Sequence, residues 1–263
     1  MTAPQGYNRP PAAPAEALTQ ARFAYGVAAE TAYRPDEPDI SRHEAACLDP
    51  HMGAFVIGDQ HWTPEGVPFS SFVAQRFVQA YGMVRHGGGL EVGAAVSHAL
   101  QSVNGLVDAA KKRRQVNDEA EATLSGVCVD PSTGNATIFK VGASGNIFQV
   151  SKEGALLPRS RDMGDDVIDG NPGHVGENSF LQNVTLQPGT RVALCSKGLT
   201  VGLDSYGRDR MPQRMQAASD PDPQAAADGL MRLAGTTAAQ FGGPLRYRHD
   251  ATLVIFDVPQ RTA

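Results

Sequence analysis

What most constrains the fold of this chain is the order in which two hydrophobic periods occur along it. Short apolar runs of strand character come first, at residues 22–33 and 53–58, the second bounded by glycines and ending at Asp59. Two helical periods then follow one another directly. In residues 69–81, Phe72, Val73, Phe77, Val78 and Tyr81 recur mostly at three- and four-residue steps, and a second such pattern runs from about residue 91 to 112, after glycines at 87, 88 and 89. A strand series at 124–130, 136–142 and 146–151 is joined by the turn-forming stretches PSTGN and GASGN and reads as a β-meander. After a long polar loop at 159–178 come a buried strand at 192–195, a helix at 222–241 and a closing strand at 251–258. Helices gathered between runs of strands exclude alternating βαβ units. They point to an α+β sandwich with helices covering stacked sheets.

Composition narrows the function classes. With 23 Lys or Arg against 28 Asp or Glu, the formal charge is −5, which argues against nucleic acid or an anionic membrane as the partner. Cys47, Cys128 and Cys195 form neither a CxxC pair nor a disulfide framework, as expected of a reducing cytoplasm. Cys128 and Cys195 lie in apolar strands and read as small inert hydrophobes. No apolar stretch approaches the roughly 18 residues of a membrane span. Residues 1–16, rich in Pro and Ala, read as a flexible tail, and residues 17–263 as one domain. Neither an internal repeat nor a Walker or dinucleotide fingerprint is present.

Five short stretches, taken in order, carry a resemblance. They are His43-Glu44-Ala45; the apolar FVIG followed by Asp59-Gln60; Gly142-Ala143-Ser144-Gly145; Ser196-Lys197-Gly198-Leu199; and His249-Asp250-Ala251-Thr252. Their order and spacing over residues 22–258 resemble the metal-dependent Ser/Thr protein phosphatases of the 2C type (PPM), where the corresponding stretches are Asn-Glu-Asp, Asp-Gly, Gly-Asp-Ser-Arg, Ser-Asp-Gly-Leu and Asp-Asp-Ala-Thr. The resemblance implies a four-layer αββα sandwich of two mainly antiparallel sheets flanked by pairs of helices. It also implies a cluster of Asp carboxylates holding two Mg or Mn ions that bridge an attacking water. Two such cations held close together require several carboxylates to offset their repulsion.

On that resemblance, the former metal-site positions are Ala45, Asp59, Gln60, Lys197, His249 and Asp250. Asp59 is the one family carboxylate ligand retained. Ala45 replaces the first Asp, His249 stands where the Asp-Asp pair begins, and Lys197 puts a cation where a ligand belongs. Two like charges at about 4 Å repel by roughly 4 kcal/mol at intermediate dielectric. The Arg that would clamp phosphate falls at Ile40 unless Arg42 reaches the same place, and the register that uses Arg42 puts Cys47 at the Asp position. Arg42, His61 and Trp62 are the candidate cleft-rim or phosphate contacts. Lys197 is expected to pair with Asp59 in place of the ions. A zinc centre of His249, Asp59 and His61 is chemically acceptable but opposed by Lys197.

The expectation is a catalytically inactive 2C-like domain, a pseudophosphatase without metal or other cofactor. It would act as a binding or regulatory module in a bacterial-type Ser/Thr phosphorylation pathway, on a protein partner such as a phosphoprotein, a kinase or an active phosphatase. Two alternatives stand beside it: an active Mn- or Mg-dependent Ser/Thr phosphatase with atypical ligands, and an assembly module whose cleft is unused.

Overall fold

The structure, a computed structural model, describes residues 23–30, 44–62, 69–142, 145–160, 167–171, 175, 179–204, 211–240 and 250–260. The expected tail, Arg42 and His249 lie outside the described residues. In chain order the elements are β1 (Ala24–Glu30), β2 (Glu44–Asp49), β3 (Ala54–Trp62), α1 (Phe69–Gly88), α2 (Val92–Lys112), β4 (Glu121–Val129), β5 (Asn135–Val141), β6 (Gly145–Val150), β7 (Leu156–Pro158), β8 (Phe180–Thr185), β9 (Arg191–Ser196), α3 (Lys197–Asp204), α4 (Met211–Ala218), α5 (Pro223–Gln240) and β10 (Ala251–Asp257).

The strands form two five-stranded sheets, ordered β1-β10-β9-β6-β7 and β2-β3-β4-β5-β8, with every neighbouring pair antiparallel. Strand alternation then builds three cores. On β3, Ala54 and Val56 face α1 and α2, where Phe77, Tyr81, Val96 and Leu100 pack against them. Phe55 and Ile57 face the opposite way, into the space between the sheets, with Val127, Ile138, Leu194, Val254 and Phe256. Phe55 and Phe256 stack there at 3.9 Å, and Phe23 meets both rings edge-on. The outer face of the first sheet, with Ala193, Cys195, Leu253 and Ile255, is covered by Leu199 of α3 and by Ala226, Leu230 and Ala234 of α5. The result is the α+β, helix–sheet–sheet–helix arrangement.

Several local readings need correction. β4 and β5 pair as a hairpin, but β6 joins the other sheet beside β9, so the three strands are not a meander. The stretch read as a second hairpin turn is a crossover between sheets. A Cβ at Gly145 would lie 2.6 Å from Ser125 Oγ of the facing sheet, so a residue without one suits that approach. β3 continues past Asp59 to Trp62, because its backbone goes on pairing with β4 at Gln60–Ala122 and Trp62–Glu121 whatever the polarity of the side chains. β2, unanticipated, makes a hairpin with β3, and Gly53 in its turn has φ +66° where a Cβ would strike Val129 O. α3 and α4 were not anticipated either; at eight residues each they are too short for periodicity to reveal. Among the described residues no helix is long and apolar enough to cross a membrane.

Candidate functional site

Alternation along four strands brings polar side chains together at one end of the space between the sheets. Glu44 on β2 lies directly across from Asp59 on β3, on the face that carries Phe55 and Ile57 farther along. Ser196 ends β9 on the same inner face as Val192 and Leu194, and Thr252 of β10 shares the face of Val254 and Phe256. The Thr252 N–H donates to Ser196 Oγ at 2.9 Å, joining the two strand ends. Asp250, just before β10, is buried, and Asp59 is half-buried.

Glu44 is the centre of this slot. It is 6% exposed, and its carboxyl meets the hydroxyls of Ser196 and Thr252 in the opposite sheet. Burial, and after it the neighbouring charge of Asp59, push its pKa up to about 9; the two hydroxyls pull the other way and Asp250 adds a smaller upward push. Glu44 is therefore neutral at pH 7. Its Oε2 is buried and has no hydrogen-bond partner among the described residues. Thr123, opposite Asp59 on β4, donates from Oγ1 to Asp59 O at 3.4 Å. The loop at 167–171 runs alongside the start of β4. Ile168 pairs with Ala122, itself the partner of Gln60, and the side chain of Asn104 holds the loop through Gly170 N–H and Asn171 O, both at 2.8 Å.

The residues singled out from sequence fare differently. Asp59 and Asp250 share the slot. Ala45 follows Glu44 on the strand and so belongs to the opposite face, toward α1, like Cys47 in the α1/α2 core. Gln60, His61 and Trp62 end β3 beyond Asp59, and their side chains lie outside the described residues. Lys197 does not pair with Asp59: it is exposed and takes part in none of the ion pairs among the described residues. The reason is alternation again, since the inward position at the end of β9 belongs to Ser196 and Lys197 is already the first residue of α3. Thr200 holds that start by donating to Ser196 O and Lys197 O, each at 3.0 Å. Glu44, in contrast, was read only as part of a matched stretch. The signal that could have found it is a lone acid opening an apolar run in alternation with Leu48. Cys128 is buried and its thiol pKa pushed up by that burial, the opposite of what a nucleophile needs.

The oxygens of Glu44, Asp59 and Asp250 are chemically suited to hard cations, while Ala45 offers no donor and Lys197, exposed at the start of α3, lies outside the donor set. Among the described residues no group of three or more His, Cys, Asp or Glu side chains is gathered closely enough to hold a metal ion.

No family model matches the sequence, and a search of curated proteins finds no match. Solved structures do match. The catalytic domain of the Ser/Thr protein phosphatase PstP, in complex with two manganese ions, is 16% identical with a TM-score of 0.65, over 91% of this chain and 99% of that one. The PPM Ser/Thr phosphatase MsPP of Mycobacterium smegmatis, in complex with cacodylate, is 16% identical with a TM-score of 0.65, over 90% of this chain and 99% of that one. PppA of Pseudomonas aeruginosa, a key regulatory component of T6SS, is 18% identical with a TM-score of 0.64, over 90% and 97%. At these identities the likeness establishes the fold, which is that of the PPM phosphatases. It also corrects the expectation of a cofactor-free domain, because the fold is one in which the PstP domain holds two manganese ions.

Proposed function

We propose that this PPM-fold domain acts by binding a protein partner, as a pseudophosphatase in a cytoplasmic Ser/Thr phosphorylation pathway of bacterial type. The observation that carries this reading is Lys197. At the end of β9, where the resemblance puts a metal-binding Asp, the chain presents a hydroxyl inward and an exposed ammonium outward. Phosphoester hydrolysis by a bridging water requires several carboxylates around its cations, and on the resemblance Ala45, Lys197 and His249 stand where three of them would be. Three free cysteines accord with a reducing compartment. The domain's partner would be a phosphoprotein, a kinase or an active phosphatase.

Because a phosphatase of the same fold carries manganese, the test includes it. Purified protein is assayed on p-nitrophenyl phosphate and on a phosphothreonine peptide, with and without manganese, beside Asp59→Asn. The expected result is no turnover above buffer in any arm. Manganese-dependent turnover that disappears in Asp59→Asn would overturn the reading and establish the alternative, an active phosphatase with atypical ligands.

A further inference from the structure

Whatever the domain binds, we propose that two copies of this chain associate through the free edge of β8, pairing antiparallel about a two-fold axis at Asn183 so that their second sheets become one. The edges of the two sheets are β1, β7, β2 and β8. β1 is covered where Gln224 bonds Val27, β7 is short and ends in Pro158, and β2 includes two acids, Glu44 and Asp49. Cover, proline and charge are devices that keep sheet edges from pairing. β8, with the sequence FLQNVT, has neither a charge nor a proline. On a chain of formal charge −5, it is the edge that can meet its own copy without like charges facing each other.

The ladder fixes which backbone groups are free. Leu186 N–H donates to Gly134 O at 2.9 Å, and Asp130 N–H to Asn135 O at 2.8 Å. In an antiparallel pair the bonded positions recur at every second residue. Phe180, Gln182 and Val184 therefore exchange bonds with Lys140, Ile138 and Ala136, while Asn135, Thr137 and Phe139 bond toward β4. The N–H and C=O groups of Leu181, Asn183 and Thr185 turn outward, away from β5, and have no partner among the described residues. Leu181 is 37% exposed, and Gln182, Asn183 and Thr185 are exposed as well. A two-fold pair centred on Asn183 satisfies all of these groups at once. Asn183 exchanges both bonds with its counterpart, and Leu181 of one copy exchanges both with Thr185 of the other. Their side chains share the face toward α2, where Thr137 Oγ1 donates to Asn183 Oδ1 at 2.8 Å. A single strand edge buries far less than a standard interface, so the dimer is a weak one.

Sedimentation equilibrium of the full chain from about 20 µM to about 1 mM is expected to show monomer passing to dimer and to nothing larger. Over the same range, amide hydrogen exchange should slow at Leu181, Asn183 and Thr185 and stay unchanged at Phe180, Gln182 and Val184, whose amides already bond β5. Thr185→Pro removes an outward N–H without touching the ladder to β5, and should weaken the dimer about tenfold or more. Paired substitutions test the register. Leu181→Lys with Thr185→Lys sets like charges opposite each other and should abolish the dimer, whereas Leu181→Glu with Thr185→Lys sets opposite charges there and should keep it. A chain that stays monomeric at the highest concentration, slowed exchange without the alternation, or equal loss in both double variants would each overturn the proposal. Assembly beyond the dimer would do so too, because it means that β8 meets a different edge and leaves the next one open.

Discussion

Glu44 carries a measurable signature of its own. Its pKa in the folded chain is about 9 against an ordinary 4.5, so between those values the folded chain holds a proton that the unfolded chain has released. The stability linked to this group is fully present below pH about 4.5 and is lost as pH rises toward about 9, with a slope of up to about 1.4 kcal/mol per pH unit. Urea unfolding across that range should show the decline, and Glu44→Gln should flatten it and raise stability above neutrality. Arg191 is a second residue with a specific cost. Its guanidinium donates to both carboxylate oxygens of Asp257, at 2.6 and 2.8 Å, and to the carbonyls of Ala218, Asp220 and Pro221. Those bonds tie the α4–α5 connection to the β9–β10 pair. Arg191→Met leaves Asp257 without its cation, and a loss of about 3 kcal/mol in unfolding free energy is expected.

Among the elements, the site depends on those that hold the strand ends and the neighbouring loop in place. The loop at 167–171 is pinned to α2 by the buried amide of Asn104 and to β4 through Ile168. Asn104→Ala should cost about 2 kcal/mol and speed amide exchange at Gly170 well before it affects β4, a difference that hydrogen-exchange mass spectrometry reads directly. α5 is held to β1 in a comparable way, with the Gln224 amide meeting both Val27 N–H and Val27 O at 3.0 and 2.9 Å. That side chain stands in for a further strand at Val27, on an edge that would otherwise present unpaired backbone. The polar end of the slot and these pins are made by different residues, so loosening a pin tests the scaffold without removing the acids.

In the molecule as a whole, the two sheets are locked together by the Phe55–Phe256 stack with Phe23 against it, while the slot occupies the polar end of the same interface. Phe55→Ala should therefore cost about 3–5 kcal/mol, with far- and near-ultraviolet circular dichroism still reporting one transition. The long helical periods at 69–81 and 91–112 and the apolar strands at 192–195 and 251–258 were legible from sequence alone, because each is set by a local repeat that matches one face of one element. The family order of short motifs gave the layered fold. The tertiary structure decided what no local repeat contains: that β6 crosses to the other sheet, that Glu44 rather than Ala45 faces inward, and that Ser196 rather than Lys197 closes the slot. One residue of register exchanges the two faces of a strand, and register is set by pairing with segments far away in sequence, such as β3 for β2 and β10 for β9. The chain's own order of residues thus determined which elements form, while partners distant along the chain determined which side chains meet.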